Sequence, residues 1–268
     1  MAIVPRPVEG SYDSALFDFI LGSEGFVPRV YSDHRGIPTL GLGYALLVDA
    51  AGWPRREGLR DDFAAIGVTL SDQDETLLNS VSRALVLGRT GEAINLVAPW
   101  RPGEAPAVRN AFSFLIHKEQ ARVLFQRVRP DFEAVLAKNL GSVLIERLAG
   151  SQELMALFSL AYNSPALIGP GLTAAMKAGE RQKVWYEIRF GSNRKRHPGL
   201  QNRRDHEAEV FGCLNEQPDA DEQLAFKTLM ASRREEMSRY LAQVGLDGGQ
   251  IDTALTELED IVGQTRLA

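Results

Sequence analysis

Hydrophobic residues recur mainly at intervals of three and four along this chain, a spacing that predicts amphipathic helices. Near the N-terminus, Leu16, Phe19 and Ile20 follow this spacing. Gly25 comes directly after the run, so the first helix is expected to end at Glu24. The C-terminal end of a helix disfavours negative charge, which is an environment that suits a carboxyl group acting as a proton donor.

The pattern changes to short extended runs after Pro28. Residues 30–33 and 38–44 flank a glycine-containing turn at 34–36, and this arrangement predicts a β-hairpin. Asp33 is expected to end the first strand and Thr39 to lie near the start of the second. Their side chains can then approach one another across the pair.

Small and acidic residues give this hairpin its candidate chemistry. Gly41 and Gly43 alternate along the second strand, so we expect one face to be open to a ligand. If the first helix ends against the hairpin, Glu24, Asp33 and Thr39 line one groove. Hydrolysis of a glycosidic bond requires two such carboxyl groups, one protonated and one ionised. Taken singly, these residues are more typical of a solvated glutamate, a turn-forming aspartate and an ordinary strand threonine.

The remaining periodic segments also predict helices. Ser71 is expected to begin a helix whose apolar face carries Leu77, Leu78, Val81, Leu85 and Leu87. The stretch after His117 predicts a long helix that is broken at Pro130 and ends at Gly141. Later helices are expected over 152–162, 172–178, 182–190, 203–214 and, beyond 217, in two further segments separated by glycines near 245–249. The residues expected in the core are Leu154, Leu157, Phe158, Ala161 and Val184.

Composition excludes several classes of protein. The chain has 268 residues, 44% of them hydrophobic, which is enough for one elaborate domain or two small ones. A net charge of −5 argues against a general nucleic-acid binder. The single cysteine, Cys213, excludes an intramolecular disulfide and is expected to be buried. No clustered histidines and cysteines and no phosphate-binding Gly-Lys motif occur, so we expect no metal and no other cofactor.

The chain also lacks the usual signs of membrane insertion and secretion. No segment is long and apolar enough to predict a membrane span. The start, MAIVPRPVEGSYD, has no basic region followed by an apolar run, so no signal peptide is expected. The protein would then remain cytoplasmic in the producing cell, and a separate lysis protein or an injection device would have to deliver it to the periplasm.

Three blocks of sequence together resemble the phage-type lysozymes, glycoside hydrolase family 24. The first is residues 24–44, EGFVPRVYSDHRGIPTLGLGY. The second is residues 152–163, QELMALFSLAYN, and the third is 185–211 with HPGLQNRR and Glu207. The chain departs from the family at Tyr44, where a histidine usually follows the Gly-x-Gly. In the family that histidine supports structure more than chemistry.

The resemblance implies an α+β, predominantly helical fold with two lobes. Residues 1–48 would form the N-terminal helix and active-site hairpin, 116–216 the large helical lobe and 217–268 a helical extension. The segment 49–115 would be an inserted, mostly helical elaboration. Within it, Trp53 and Trp100 are more typical of buried packing than of stacking on sugar rings. The extension would pack on the large lobe or bind a partner.

The activity implied is that of a muramidase, which cuts the β-1,4 bond between N-acetylmuramic acid and N-acetylglucosamine in peptidoglycan. The catalytic residues would be Glu24, Asp33 and Thr39, with inversion favoured. Asn163 would contact a sugar acetamido group, or simply end its helix. The substrate-binding arginines would be Arg189, Arg203 and Arg204. They belong to a basic run with Arg194, Lys195, Arg196 and His197, which either attracts peptidoglycan carboxylates or forms ion pairs with Asp205, Glu207 and Glu209.

Two alternatives and two settings remain open. A lytic transglycosylase uses one acid and would not need Asp33. A non-catalytic component of a phage tail or secretion device would bind peptidoglycan without cutting it. As a muramidase, the protein would be a phage endolysin or an injected antibacterial effector. An effector would have an immunity protein and a delivery apparatus as partners.

Overall fold

The computed structural model describes residues 3–97, 111–192 and 198–264. Within these ranges the chain is predominantly helical with one small antiparallel sheet, as expected for an α+β protein. Trp100 and the basic residues Arg194, Lys195, Arg196 and His197 lie outside the described residues. The elements in chain order are α1 (Tyr12–Glu24), β1 (Val27–Ser32), β2 (Pro38–Gly41), β3 (Tyr44–Ala45), α2 (Leu59–Ala65), α3 (Asp72–Val86), α4 (Thr90–Val97), α5 (Lys118–Leu140), α6 (Ser142–Arg147), α7 (Gln152–Asn163), α8 (Pro170–Ala178), α9 (Arg181–Tyr186), α10 (Pro198–Phe211), α11 (Ala220–Gln243) and α12 (Gly248–Gln264).

The contacts divide the chain into two compact units. One consists of Met1–Leu16 together with Asp131–Ala268, and the other is Phe17–Pro130. The hairpin and the inserted segment therefore belong to one unit, and α6 to α12 belong to the other. The boundaries lie within α1 and α5.

The unit Phe17–Pro130 contains the sheet, whose strands lie in the order β1-β2-β3. Val27 pairs with Gly41 and Tyr31 with Thr39, with an irregularity between these two pairs. The hairpin expected from the sequence is confirmed. Val30 in β1 and Leu40 in β2 are buried.

The segment 49–115, expected to be an insertion, is helical over α2, α3 and α4 in its described part. Ser71 begins α3 through a capping box in which its hydroxyl accepts the N–H of Asp74 while Asp74 accepts the N–H of Ser71. Of the apolar face predicted for this helix, Leu78, Val81 and Leu85 are buried. Leu87, which follows the last residue of the helix, is 56% exposed, contrary to the prediction.

The prediction that the helix after His117 is broken at Pro130 is wrong. The helix α5 runs through Pro130 and stops at Gly141, which has a φ of +92°. A proline removes one helical hydrogen bond, but buried apolar residues on both sides hold the helix in place, including Leu124 before it and Leu136 after it.

The other unit is organised around α7. Every residue from Glu153 to Ala161 is buried, so this helix is surrounded on all sides. The five residues predicted for the core are all buried, as is Cys213. The helix α9 continues as a π-helical turn, Glu187–Gly191.

The C-terminal extension packs on this unit through α11. The ring of Phe226 lies 5.8 Å from Trp185, and that of Tyr240 lies 5.3 Å from Phe190. The Tyr186 hydroxyl donates to Glu236 at 2.8 Å. The apolar side of α11 therefore packs on this unit. The second helix of the extension, α12, packs on α11.

Candidate functional site

Glu24 is the last residue of α1, as the sequence predicts. The N–H of Gly25 closes the helix by donating to Leu21 O at 2.9 Å, and Gly25 has a φ of +73°. This left-handed conformation is one that glycine adopts readily, so the chain turns into β1 directly after the carboxylate. The side chain of Glu24 is exposed.

Asp33 is held by the backbone of the turn that joins β1 to β2. The N–H groups of Arg35 and Ile37 both donate to Asp33 Oδ1, each at 2.8 Å. The N–H of Asp33 donates in turn to Ile37 O at 3.0 Å. A carboxylate held by two donors has a fixed orientation, because moving it would break both bonds.

Thr39 is joined to the same turn. Its hydroxyl donates to Ile37 O at 3.0 Å, which is the carbonyl that also accepts the N–H of Asp33. The residue is only 6% exposed. Asp33 and Thr39 are therefore tied to one peptide, although they do not face one another across the strands as the sequence suggested. The residue opposite Thr39 is Tyr31.

Tyr31 is a site residue that sequence reasoning treated only as part of a motif. Burial raises its pKa to about 12, with further contributions from the negative charges of Glu24 and Asp33. The hydroxyl is thus close enough to both carboxylates to be affected by each. The signal available in the sequence was its position between the two acids, two residues before Asp33.

The prediction that Gly41 and Gly43 leave one face of the hairpin open is wrong for Gly41. This residue is buried, and a Cβ placed on it would lie 3.4 Å from Ala121 Cβ and 3.4 Å from Ile116 Cδ1. These are ordinary contact distances, and glycine is favoured here because its φ is +66°, a left-handed conformation that other residues rarely adopt. Gly43 is exposed, as expected.

Tyr44 connects the hairpin to the inserted segment. Its hydroxyl donates to Asp62 Oδ2 in α2 at 2.7 Å, and the guanidinium of Arg56 lies 5.0 Å from the centre of its ring. Burial, followed by the bond to Asp62, raises the pKa of Tyr44. Tyr44, where the resembled family usually has a histidine, thus contacts α2.

The four residues predicted to bind substrate belong to the other compact unit. Asn163 is the last residue of α7 and is partly exposed. Arg189 lies in the π-helical turn, where its Nε is 2.8 Å from Asp205 Oδ1. Its guanidinium also lies 5.5 Å from the centre of the Trp185 ring.

Arg203 and Arg204 both pair with Glu207, which is fully buried. Arg204 is 1% exposed, and its Nε lies 2.8 Å from Glu207 Oε2. Ser159 also donates to Glu207, at 2.6 Å. Burial raises the pKa of Glu207 despite the opposing influence of these partners. The alternative expected for the basic run, ion pairing, is therefore observed with Asp205 and Glu207. Contact of these arginines with substrate stays a prediction, and burial makes it least favourable for Arg204.

Two further features are absent from the described ranges. They contain no group of three histidine, cysteine or acidic side chains placed to hold a metal ion. No helix within them combines the length and the apolar character needed to cross a membrane.

The chain matches no family model, no curated protein and no solved structure. The resemblance to the phage-type lysozymes therefore rests on the three blocks of its sequence.

Proposed function

We propose that the protein is a muramidase, a hydrolase of the β-1,4 bond between N-acetylmuramic acid and N-acetylglucosamine. The observation that carries the proposal is the shared anchoring of Asp33 and Thr39 on Ile37, with Tyr31 within the electrostatic influence of both Glu24 and Asp33. Two carboxyl groups that both influence one tyrosine of a short hairpin support the proposal, because glycoside hydrolysis uses a pair of carboxyl groups. The proposal includes the two-lobed lysozyme-like fold that the resemblance implies.

Glu24 is assigned the role of general acid. It would protonate the leaving glycosidic oxygen as the bond breaks. An exposed carboxyl group at the end of a helix can reach a large polymeric substrate without any movement of the backbone.

Asp33 is assigned the role of the ionised partner that orients water. The N–H groups of Arg35 and Ile37 both donate to Oδ1. Because these two bonds fix the plane of the carboxylate, they also fix the direction in which Oδ2 points. The Thr39 hydroxyl gives its proton to Ile37 O, and its oxygen therefore presents lone pairs that can accept a hydrogen from the same water. Attack by this water would invert the anomeric centre, in agreement with the resemblance.

Substrate attraction is assigned to the other unit. Arg189 and Arg203 keep part of their side chains exposed, 22% and 9%, and peptidoglycan peptide stems carry carboxylates. Asn163 would contact an acetamido group. The setting is that of a phage endolysin or an injected effector acting in the periplasm, with an immunity protein and a delivery apparatus as partners in the second case.

The test is digestion of purified peptidoglycan by wild type, Glu24→Gln, Asp33→Asn and Thr39→Val, with the products identified by mass spectrometry. Wild type should release muropeptides with reducing ends. The two acid variants should lose activity by roughly 100-fold or more, because each removes a group that transfers a proton or orients water. Thr39→Val should be slowed less than either, and Thr39→Ser should retain activity because it keeps the hydroxyl.

Other products would favour the alternatives. Anhydro products that persist in Asp33→Asn would identify a lytic transglycosylase. A folded wild type that binds peptidoglycan but releases nothing would contradict hydrolysis and identify a wall-binding component.

A further inference from the structure

Trp53 has a backbone conformation that its side chain disfavours. Its φ is +46°, and among the described residues it is the only one besides glycine with a positive φ. A bulky residue in this region is a genuine outlier. Such strain persists only where the surroundings impose it, and it is concentrated at functional sites.

The surroundings of Trp53 form a second hairpin, closed by residues 47 and 55. Leu47 and Arg55 make an antiparallel bridge, and the N–H of Val48 donates to Pro54 O at 2.8 Å. The N–H of Trp53 donates to Ala50 O at 2.9 Å. From α3, the Ser82 hydroxyl donates to Trp53 O, also at 2.9 Å. The strained conformation is therefore held by bonds on both sides of the residue.

This second hairpin is joined to the turn that carries Asp33. The link is Arg35, whose N–H donates to Asp33 Oδ1 at 2.8 Å. The Arg35 guanidinium lies 5.8 Å from the centre of the Trp53 ring and forms an ion pair with Asp49. A single residue thus contacts the candidate catalytic carboxylate through its backbone and the tryptophan through its side chain.

We propose that Trp53 and Arg35 form a glycan subsite beside Asp33, in which the indole ring stacks on a sugar of the strand being cut. Flat aromatic rings cover the apolar C–H face of a pyranose, and a guanidinium can bind its hydroxyl groups or a nearby carboxylate. The inference rests on the proposed function for the identity of the glycan. It assigns to the inserted segment a part in positioning the substrate.

Packing alone does not explain the arrangement. The side chain is only partly buried, and the Arg35–Asp49 pair beside it is about half exposed. A glycine at this position would adopt the observed φ without strain. A large ring at a strained, partly exposed position points to a use outside the core.

The experiment measures retention on purified sacculi in the Glu24→Gln background, so that binding is observed without cutting. Trp53→Gly and Trp53→Asn remove the ring and suit a positive φ, and Trp53→Phe keeps a ring. Thermal unfolding of every variant is recorded beside retention. The ring-free variants should unfold at an equal or higher temperature and bind roughly three- to ten-fold more weakly. Trp53→Phe should retain most of the binding.

Unchanged retention in a folded Trp53→Gly or Trp53→Asn would overturn the inference. Equal loss in Trp53→Phe and the ring-free variants would also overturn it, because stacking requires a ring. Muropeptide release by the protein with Glu24 intact is scored separately. If retention depends on the ring but no muropeptides are released, the subsite is supported and hydrolysis is refuted. If muropeptides are released but retention does not depend on the ring, hydrolysis is supported and the subsite is refuted.

Discussion

At the scale of single residues, Tyr31 shows how the two candidate catalytic carboxylates affect a neighbour. Its pKa is raised to about 12, first by burial and then by Glu24 and Asp33. The hydroxyl therefore stays protonated throughout the range in which a carboxyl pair could work. It can act there as a hydrogen-bond donor and not as a base.

The raised pKa of Tyr31 has a consequence for stability at alkaline pH. The unfolded tyrosine releases its proton near pH 10 and the folded one near 12, so stability is complete below pH 10 and falls as the pH rises between these values. Tyr31→Phe should remove about 1.4 kcal/mol of this loss at pH 11. Urea unfolding of both proteins at pH 8 and pH 11 gives the fall in the free energy of unfolding between these two pH values. The same fall in both proteins would show that Tyr31 is not responsible.

At the scale of elements, the inserted segment is held by Asp74 in the first turn of α3. Its carboxylate accepts the N–H of Ser113 at 2.8 Å and the N–H of Ser71 at 2.9 Å, and both serine hydroxyls donate to it. Burial alone would raise the pKa of Asp74, but the bonds from Ser113 and Ser71 outweigh it and the pKa is lowered. One side chain thus caps α3 and fastens the chain ahead of α5.

Asp74→Asn should destabilise the protein by about 1–3 kcal/mol, because an amide has one acceptor oxygen for donors that now bind two. Chemical denaturation gives the free energy, and hydrogen exchange at Ser113 should become faster. The matched control is Asp72→Asn, an exposed acid in the same turn, which should cost less than about 1 kcal/mol. Equal effects of the two variants would contradict the fastening role.

At the scale of the whole molecule, a buried polar network joins the N-terminal segment to the C-terminal extension. Arg181 is 1% exposed and donates to Glu153 at 2.7 Å, to Val4 O at 2.6 Å and to Asn215 at 2.8 Å. Asn215 donates to Glu222 in α11. The extension is therefore fastened by polar contacts as well as by the packing of Phe226 and Tyr240.

Arg181→Met should destabilise the protein by about 3–5 kcal/mol, since it leaves the Glu153 carboxylate buried without one of its partners. Denaturant unfolding measures the loss. The control is Arg233→Met, which breaks an exposed pair with Glu236 and should cost about 1 kcal/mol or less.

The pH dependence of Arg181→Met follows from Glu153. Burial raises the pKa of Glu153, but the bonds from Arg6 and Arg181 outweigh it, and the pKa is lowered. The stability from this group is present above its ordinary pKa near 4.5 and is lost as the pH falls through the lowered value. The variant should lose less stability on acidification than wild type. A wild-type loss that is unchanged in the variant would assign acid unfolding to other carboxylates.

Local sequence signals predicted the elements that depend on near neighbours. The end of α1 follows from Gly25, which adopts a left-handed φ, and the start of α3 follows from the capping box that Ser71 forms with Asp74. The hairpin follows from two extended runs around Gly36. Each of these features is decided by bonds between residues at most a few positions apart, so the sequence contains the whole cause.

Contacts between distant residues decided the rest. The helix α5 continues through Pro130 because apolar packing outweighs one lost hydrogen bond, and Gly41 is covered because α5 packs on β2. Tyr44 finds Asp62, and Arg204 is buried with Glu207 inside the fold. The order of Glu24, Asp33 and Thr39 could be read from the sequence alone. The bonds from Asp33 and Thr39 to Ile37 are local as well. The burial of Tyr31 near both carboxylates, and the strained conformation of Trp53 held by Ser82 from α3, arose from tertiary packing, because burial and long-range hydrogen bonds are properties of the folded chain.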